Sequence, residues 1–155
     1  MNQNQTLIHH FYTSFKNKDY ASMQNCYADD AVFNDPVFDK LNATEVKSMW
    51  EMLIKNGKDM KLSFDSIKDE GNVVTAYWEA NYTFSLTGKA VVNKVNASFV
   101  IENGKIKSHG DHFNFYNWAR QAFGFKGALL GWTSFFREKV RATATKNLKR
   151  FMGVV

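Results

Sequence analysis

The sequence predicts an α+β fold in which helices cover one face of a curved antiparallel sheet. In the first third of the chain, apolar residues recur mostly at helical spacing. From residue 60 the period changes to two, which indicates four long strands. Turn signals at Thr87-Gly88 and Asn103-Gly104 join successive strands tightly, and such short connections make neighbouring strands antiparallel.

The N-terminal part of the chain predicts three helices and one short strand. Residues 5–17 form an amphipathic helical pattern, and Asp19 is expected to cap a second, short helix that includes Tyr27. Residues 31–35 then indicate a buried strand, and Thr44 is expected to be the N-cap of a third helix. Helices therefore precede the main sheet along the chain, which is typical of an α+β domain.

Alternation along the later strands places several polar residues on the face that should be buried. Asn93 interrupts an otherwise apolar row. On the last strand, predicted over 105–116, His109 and Asp111 share the inward face with two phenylalanines. Tyr12 lies on the apolar stripe of the first helix. These positions are the first candidates for a functional site.

Asp35 is a further candidate, because it follows a buried strand and precedes Pro36, the single proline of the chain. Since side chains alternate along a strand, Asp35 is expected to face the same side as Phe33. Proline disfavours the helical conformation of the preceding residue, which would keep this carboxylate at the end of the strand. The alternative is that Asp35 only caps a turn in the following segment.

The inward polar groups admit two interpretations. Each costs roughly 1–3 kcal/mol if left unpaired, so they should pair with one another or line a wet pocket. In the structural interpretation, His109 pairs with Asp111 or Asp35, and Asn93 with the backbone. In the functional interpretation, they form an acid/base site in an aromatic-lined hollow. No metal is expected, because His112 points away from His109 on a strand and no metal-binding motif occurs.

Composition limits the class of protein. A chain of 155 residues is the size of one domain, and its 45% hydrophobic and 23% charged residues are ordinary for a globular protein. No apolar run approaches the ~20 residues that span a bilayer. With one cysteine, Cys26, no internal disulfide can form, and we expect a cytoplasmic protein.

Charge divides the chain into two parts. Residues 117–155 carry a net charge of +7, whereas residues 1–116 carry −2. We therefore expect a folded domain over 1–116 and a basic, amphipathic helical extension over 117–155. The extension is expected either to pack across the domain or its dimer partner, or to contact anionic lipid through residues 133–152. Nucleic acid is not expected, because no base-reading module accompanies the charge.

Several motifs together resemble the nuclear transport factor 2-like superfamily, in its SnoaL-like and ketosteroid isomerase-like branch. They are Tyr12, Asp19, YADDAVFNDP at 27–36, the Asn-Gly hairpin and HGDHF at 109–113. The resemblance covers residues 5–116. The segment 118–140 is similar to that of a bacterial subgroup of uncharacterised members.

The resemblance implies a cone-shaped fold, the cystatin-like roll, with a curved antiparallel sheet packed on three N-terminal helices. It also implies a homodimer formed through the sheet. The resemblance implies that the general base of ketosteroid isomerases corresponds to Asp35 in this chain. It implies likewise that their tyrosine that donates a hydrogen bond to the oxyanion corresponds to Tyr12. The second donor position is occupied by Ala97, which departs from that pattern, and Asn93 could supply a donor instead. In SnoaL-like cyclases the base and its neighbouring histidine are similar to Asp111 and His109.

The expected function is that of a small-molecule enzyme without cofactor that abstracts a proton next to a carbonyl, as an isomerase or cyclase does. The substrate would be an apolar or polycyclic carbonyl compound. Its predicted wall consists of Trp50, Trp78, Tyr82, Phe84, Phe99 and Phe113. The alternative is a non-catalytic module that binds a hydrophobic ligand or a protein. An epoxide hydrolase of this fold is disfavoured, because it needs an arginine between two aspartates and residues 1–119 contain no arginine.

Overall fold

A computed structural model describes residues 1–154 of the chain. In chain order its elements are α1 (Gln3–Lys16), α2 (Tyr20–Asn25), β1 (Tyr27–Asn34), β2 (Leu41–Asn42), α3 (Ala43–Asn56), β3 (Lys61–Asp69), β4 (Val74–Phe84), β5 (Lys89–Glu102), β6 (Lys105–His112), α4 (Phe115–Phe123), α5 (Phe125–Leu130) and α6 (Ser134–Met152). The predicted α+β class is confirmed.

The strands form one curved sheet in the order β2-β1-β6-β5-β4-β3. Strands β3 to β6 are antiparallel neighbours, as their turns predicted. One pairing differs from the antiparallel expectation. Strand β1 runs parallel to β6, with Phe33 beside His109 and Asn34 beside Gly110. The two strands lie far apart in sequence, so no hairpin dictates an antiparallel arrangement.

Side-chain caps define the helix starts. Asp19 accepts from the Ser22 N–H and caps α2, as predicted. The prediction of Thr44 as the cap of α3 is wrong, because Asn42 occupies that position. Asn42 accepts from the Glu45 N–H, and the Glu45 side chain accepts from the Asn42 N–H, each at 2.9 Å. This reciprocal capping box satisfies two otherwise unpaired N–H groups. The helix therefore begins at Ala43, two residues earlier in the chain than a Thr44 cap would give.

Two strand boundaries differ from the predictions. Tyr27 begins β1 rather than ending α2. Strand β6 ends at His112 instead of continuing to residue 116. The side chain of Asn114 accepts from the Asn117 N–H and starts α4, which places Phe115 on a helix. Phe113 therefore lies in the connection between β6 and α4.

Strand β3 contains a bulge where its alternation breaks. Ser66 adopts a positive φ of 56°, and the pairing with β4 shifts between Asp65 and Lys68. One additional residue in a strand reverses the facing of the residues that follow it. Ile67 consequently packs against the core after the break.

Helices α1 to α3 cover the inner face of the sheet, and aromatic rings fill the space between them. The rings meet mostly edge to face, with centroids 4.1–6.3 Å apart. They are Phe11, Tyr12, Phe15, Tyr27, Phe33, Trp50, Trp78, Phe99 and His109. The expected aromatic hollow is therefore occupied by the protein's own side chains.

The C-terminal extension packs on the domain. Trp118 of α4 donates its indole N–H to the Tyr82 hydroxyl at 2.8 Å. Leu148 of α6 is only 2% exposed and belongs to the main core. Phe136, Val140 and Ala144 of α6 also pack against core residues. The apolar side of this helix thus faces the domain along much of its length. Within residues 1–154, no helix combines the length and the apolarity that crossing a bilayer requires.

Glycine allows α5 to lie directly against α4. A Cβ atom built on Gly127 would come 1.9 Å from the Ala119 carbonyl oxygen. One built on Gly131 would come 2.9 Å from the Ala119 Cβ. The face of α5 that carries Gly127, and that Gly131 continues just after the helix ends, is consequently the face that packs on the domain.

We expect Gly127→Ala to destabilise the protein by roughly 1–3 kcal/mol, because the added methyl group forces α5 away from α4. Alanine otherwise favours a helix over glycine by roughly 0.5–1 kcal/mol, so a loss isolates the steric effect. The measurement is the free energy of unfolding in urea. Ala128→Ser, at the exposed neighbouring position, is the control and should change stability by less than about 0.5 kcal/mol. Equal stability of Gly127→Ala and wild type would contradict the packing.

Candidate functional site

A cavity of about 960 Å³ opens where β1 and β6 end. Its walls include Asp35 after β1, Asp111 on β6 and Phe113 beyond it. Arg137 and Arg141 of α6 line the same cavity. Two acids and two arginines thus meet at one opening, although they come from three separate segments of the chain.

The cavity continues across the sheet as a polar trough. Five neighbouring strands each contribute one residue, and each of these residues pairs with the one on the adjacent strand. This row consists of Asn34, Gly110, Ser98, Thr75 and Lys68. The face is the one opposite α1 to α3, because the neighbours of these residues along each strand are the buried ones. Its lining is far more polar than the predicted aromatic wall.

Asp35 lies in a turn immediately after β1. Its Oδ1 atom accepts from the N–H groups of Val37 at 2.7 Å and Phe38 at 2.6 Å. The other oxygen, Oδ2, has no protein partner among residues 1–154 and yet is not sealed from solvent. The carboxylate therefore caps a turn with one oxygen, and Asp35 also lines the cavity.

The surroundings of Asp35 favour its neutral form. Burial is the main cause, and it raises the pKa of this carboxyl to about 7. The negative charge of Asp111 raises the pKa further, whereas the two backbone N–H groups and the charge of Arg141 oppose the increase. Arg141 also donates its Nε–H to the Pro36 carbonyl at 3.0 Å, which ties α6 to the turn that holds Asp35.

A buried hydrogen-bond chain leads to Asp111. Trp50 donates its indole N–H to the Tyr27 hydroxyl at 2.8 Å, and this hydroxyl lies 2.7 Å from His109 Nδ1. His109 Nε2 lies 2.9 Å from Asp111 Oδ1, to which Trp78 donates at 3.5 Å. The predicted pairing of His109 with Asp111 is therefore present. The chain fixes the imidazole at both nitrogens and holds Asp111 Oδ1 against buried groups, while Asp111 also lines the cavity.

Tyr12 lies beside this chain without joining it. Its hydroxyl is buried and is the one such side-chain atom within residues 1–154 that has no partner. Burial raises the pKa of Tyr12, and the charge of Asp111 adds to the effect. Phe64, Trp78 and Phe99 enclose its ring, and Tyr12 does not line the cavity.

The structure separates the remaining predicted residues from the cavity. Asn93 pairs with Ala80 across the sheet and is four residues from Ala97, which pairs with Asp111. At about 3.4 Å per residue, it lies roughly 14 Å along the sheet from the level of Asp111. Tyr82 and Phe84 pack beneath α4. Among the predicted wall residues, Trp50, Trp78 and Phe99 are core side chains, and Phe113 reaches the cavity.

The histidine-rich segment does not assemble metal ligands. His109 and Asp111 face inward and bond to each other, whereas His112 lies exposed on the opposite face. Within residues 1–154, no three His, Cys, Asp or Glu side chains cluster as a metal site would require.

Sequence reasoning missed three residues of this region. Tyr27 was predicted to end a helix, whereas it begins β1. Its position just before the buried residues of that strand could have indicated this. Arg137 and Arg141 belong to the predicted basic amphipathic extension, which was not expected to contribute to the site. Residues 1–119 contain no arginine, but α6 returns to the turn that holds Asp35 and brings its arginines to the cavity. This approach is visible only in the tertiary structure.

The two buried tyrosines allow a matched test of the hydrogen-bond chain. We expect Tyr27→Phe to cost roughly 1–3 kcal/mol, because it leaves the Trp50 N–H and the His109 ring without their partner. Tyr12→Phe removes a hydroxyl that has no partner and should leave stability unchanged or increase it. Urea unfolding of both variants makes the comparison. Similar losses in the two variants would contradict the assignment of partners.

Solved structures share this architecture. An NTF2-like protein of unknown function from Burkholderia pseudomallei K96243 is 17% identical, with a TM-score of 0.67 over 79% of this chain and 98% of that one. A candidate polyketide cyclase from Xanthomonas campestris pv. campestris is 18% identical, with a TM-score of 0.65 over 77% and 96%. An LEH-like epoxide hydrolase from M. tuberculosis is 14% identical, with a TM-score of 0.63 over 84% and 97%. At such identities the likeness establishes the fold alone.

Family membership rests on the sequence itself. No curated protein matches the chain. The sequence profile of the SnoaL-like domain, however, matches residues 8–109, which is more than half of the chain and includes Asp35 and His109. The matched region coincides with α1 to β6, the part that forms the cone. The chain therefore belongs to the SnoaL-like domain family.

Proposed function

We propose that this protein is an enzyme that abstracts a proton from the carbon next to a carbonyl group, with Asp35 as the general base. The observation that carries the proposal is the state of Asp35: its pKa is raised to about 7, it lines the cavity, and its Oδ2 has no hydrogen-bond partner among the residues that the structure describes. A base that titrates near neutral pH combines an available ionised form with adequate proton affinity.

The proposed step moves one proton and one electron pair. Asp35 Oδ2 takes the proton from carbon, and the C–H electrons form the enolate, whose negative charge collects on the carbonyl oxygen. Where the enolate is conjugated to a double bond, Asp35 returns the proton to the far carbon, and the double bond moves as in an isomerase. Where the enolate carbon attacks a second carbonyl of the same molecule, the alkoxide oxygen formed there takes the proton back from Asp35, and a ring closes as in a cyclase. Arg137 and Arg141 supply positive charge at the cavity for the enolate oxygen. Tyr12 and Asn93, the donors expected from sequence, lie outside the cavity in this arrangement.

Asp111 and His109 have a supporting part in the proposal. Asp111 lines the cavity but is only 5% exposed, and its Oδ1 bonds to the buried side chains of His109 and Trp78, so the proposal assigns the proton transfer to Asp35. Its charge contributes to the raised pKa of Asp35. Asp111 is therefore a positioning residue, which tunes the base through the buried chain behind it.

The second candidate is a non-catalytic binding module. The filled interior of the cone favours it, because the aromatic side chains predicted to receive a substrate pack against one another. The two candidates differ in whether a bound ketone loses its α-proton, which the following experiment measures.

We expect the wild type to catalyse deuterium incorporation from D₂O at the carbon next to the carbonyl, detected by NMR over a panel of aromatic and polycyclic ketones. Asp35→Asn should lower the rate at least about 100-fold, since the variant has no base. Asp39→Asn, an exposed carboxylate four residues away, removes the same charge and should retain the rate. Exchange retained in Asp35→Asn, or binding without exchange in the wild type, would refute the proposal.

The raised pKa of Asp35 also predicts how stability depends on pH. The folded protein holds this proton up to about pH 7, while an unfolded chain releases it near pH 4. The folded state thus binds more protons in between, so the contribution of Asp35 to stability falls as pH rises through this window. Relative to Asp35→Asn, the wild type should lose roughly 2–4 kcal/mol between pH 4 and 8. Urea unfolding at each pH tests this, and a difference that does not vary with pH would contradict it.

A further inference from the structure

An exposed apolar ridge runs along α5 and into the start of α6. Phe125 is 81% exposed, and Trp132 and Phe135 are each 75% exposed. Leu129 and Leu130 continue the same surface at 57% and 42%. Three aromatic side chains at this exposure leave on the order of 400 Å² of ring surface in water, which already makes the ridge as large as the principal patch of a typical monomer.

The packing of α5 dictates the direction in which the ridge points. Gly127 and Gly131 lie four residues apart on one helical face, and that face contacts Ala119 of α4. At 100° per residue, Phe125 and Leu129 lie on the opposite face of α5. Because glycine lies on the inner side of α5 and large apolar residues lie on its outer side, the packing of this helix leaves hydrophobic side chains in solvent.

Basic residues accompany the ridge. Lys126 is exposed on α5, and Arg120 is exposed on α4 immediately before it. The Lys139 ammonium lies 5.5 Å from the centre of the Phe135 ring. Glu138 is the single acid in residues 117–155, against a net charge of +7. Both the apolar and the electrostatic components of attraction to an anionic bilayer are present at this surface.

We propose that the ridge inserts into the interface of an anionic lipid bilayer and holds the protein on the membrane surface. The sequence led us to expect lipid contact through residues 133–152, but the apolar side of α6 faces the domain around Leu148. The proposal therefore assigns insertion to α5 and to the connection between α5 and α6. Trp132 suits such a position: its indole N–H already donates to the Leu129 carbonyl at 3.0 Å, so the ring enters the interface without an unsatisfied donor.

The experiment uses the full chain with sucrose-loaded vesicles of phosphatidylcholine alone or with 30% phosphatidylglycerol. We expect co-sedimentation with the anionic vesicles, weakened by salt, and at least tenfold weaker partitioning onto phosphatidylcholine. Trp132 is exposed, whereas Trp50, Trp78 and Trp118 are buried. A blue shift of tryptophan fluorescence on vesicle addition, absent in Trp132→Ser, would therefore place this residue in the interface.

Matched variants separate the ridge from surface hydrophobicity and from charge in general. The double variant Phe125→Ser, Trp132→Ser should lower partitioning at least tenfold, and Lys126→Gln with Lys139→Gln should lower it on anionic vesicles only. Leu86→Ser, which removes a 71% exposed leucine from the β4–β5 turn, should change it less than twofold. Near-UV circular dichroism verifies that each variant retains its fold.

Three outcomes would overturn the proposal. They are absence of binding to anionic vesicles, equal binding by wild type and the Phe125→Ser, Trp132→Ser double variant, and self-association of the wild type that this double variant abolishes. The last result, read by analytical ultracentrifugation, would assign the ridge to a second copy of the chain. The α-proton exchange assay is performed without lipid, so its result does not depend on this one.

Discussion

The parallel pairing of β1 with β6 is the constraint on which the site depends. It places Asn34 beside Gly110, so the residues that follow each partner, Asp35 and Asp111, come together at one edge of the cone. Two carboxylates in such proximity within a partly desolvated opening cannot both be ionised at low cost. Burial at this opening is the main cause of the raised pKa of Asp35, and the charge of Asp111, which the pairing of two strands distant in sequence brings close, raises that pKa further.

The C-terminal extension completes this arrangement although it lies outside the region that defines the family. Helix α6 contributes two arginines to the cavity and contacts the Pro36 carbonyl, while Leu148 joins the main core. The last helix thus adds two guanidinium groups to the positive charge that Lys68 of β3 already brings to the cavity. Relatives that share the cone and lack such a helix would need another source of charge, which is one physical reason why a common fold supports different chemistries.

Local patterns in the sequence predicted much of the fold, and tertiary contacts account for most of the differences. Alternation and turn residues identified β3 to β6, and helical spacing identified α1. Pairing between distant strands leaves no local pattern, so the parallel β1–β6 contact was not predictable. Alternation also indicated which side His109 and Asp111 face, but it cannot show how completely neighbouring rings fill the interior. The approach of Arg141 to Asp35 spans more than a hundred residues and likewise has no local signal.

The bulge in β3 has a consequence for the outer boundary of the sheet. Strand β3 is an edge strand, and its outer side presents main-chain groups that could accept a strand from another molecule. The positive φ at Ser66 bends this edge, and Lys61 and Lys68 place charge along it. An incoming strand would have to follow the bend and bring the lysines of two molecules together. The geometry of a single serine thereby helps to keep this edge from starting intermolecular aggregation.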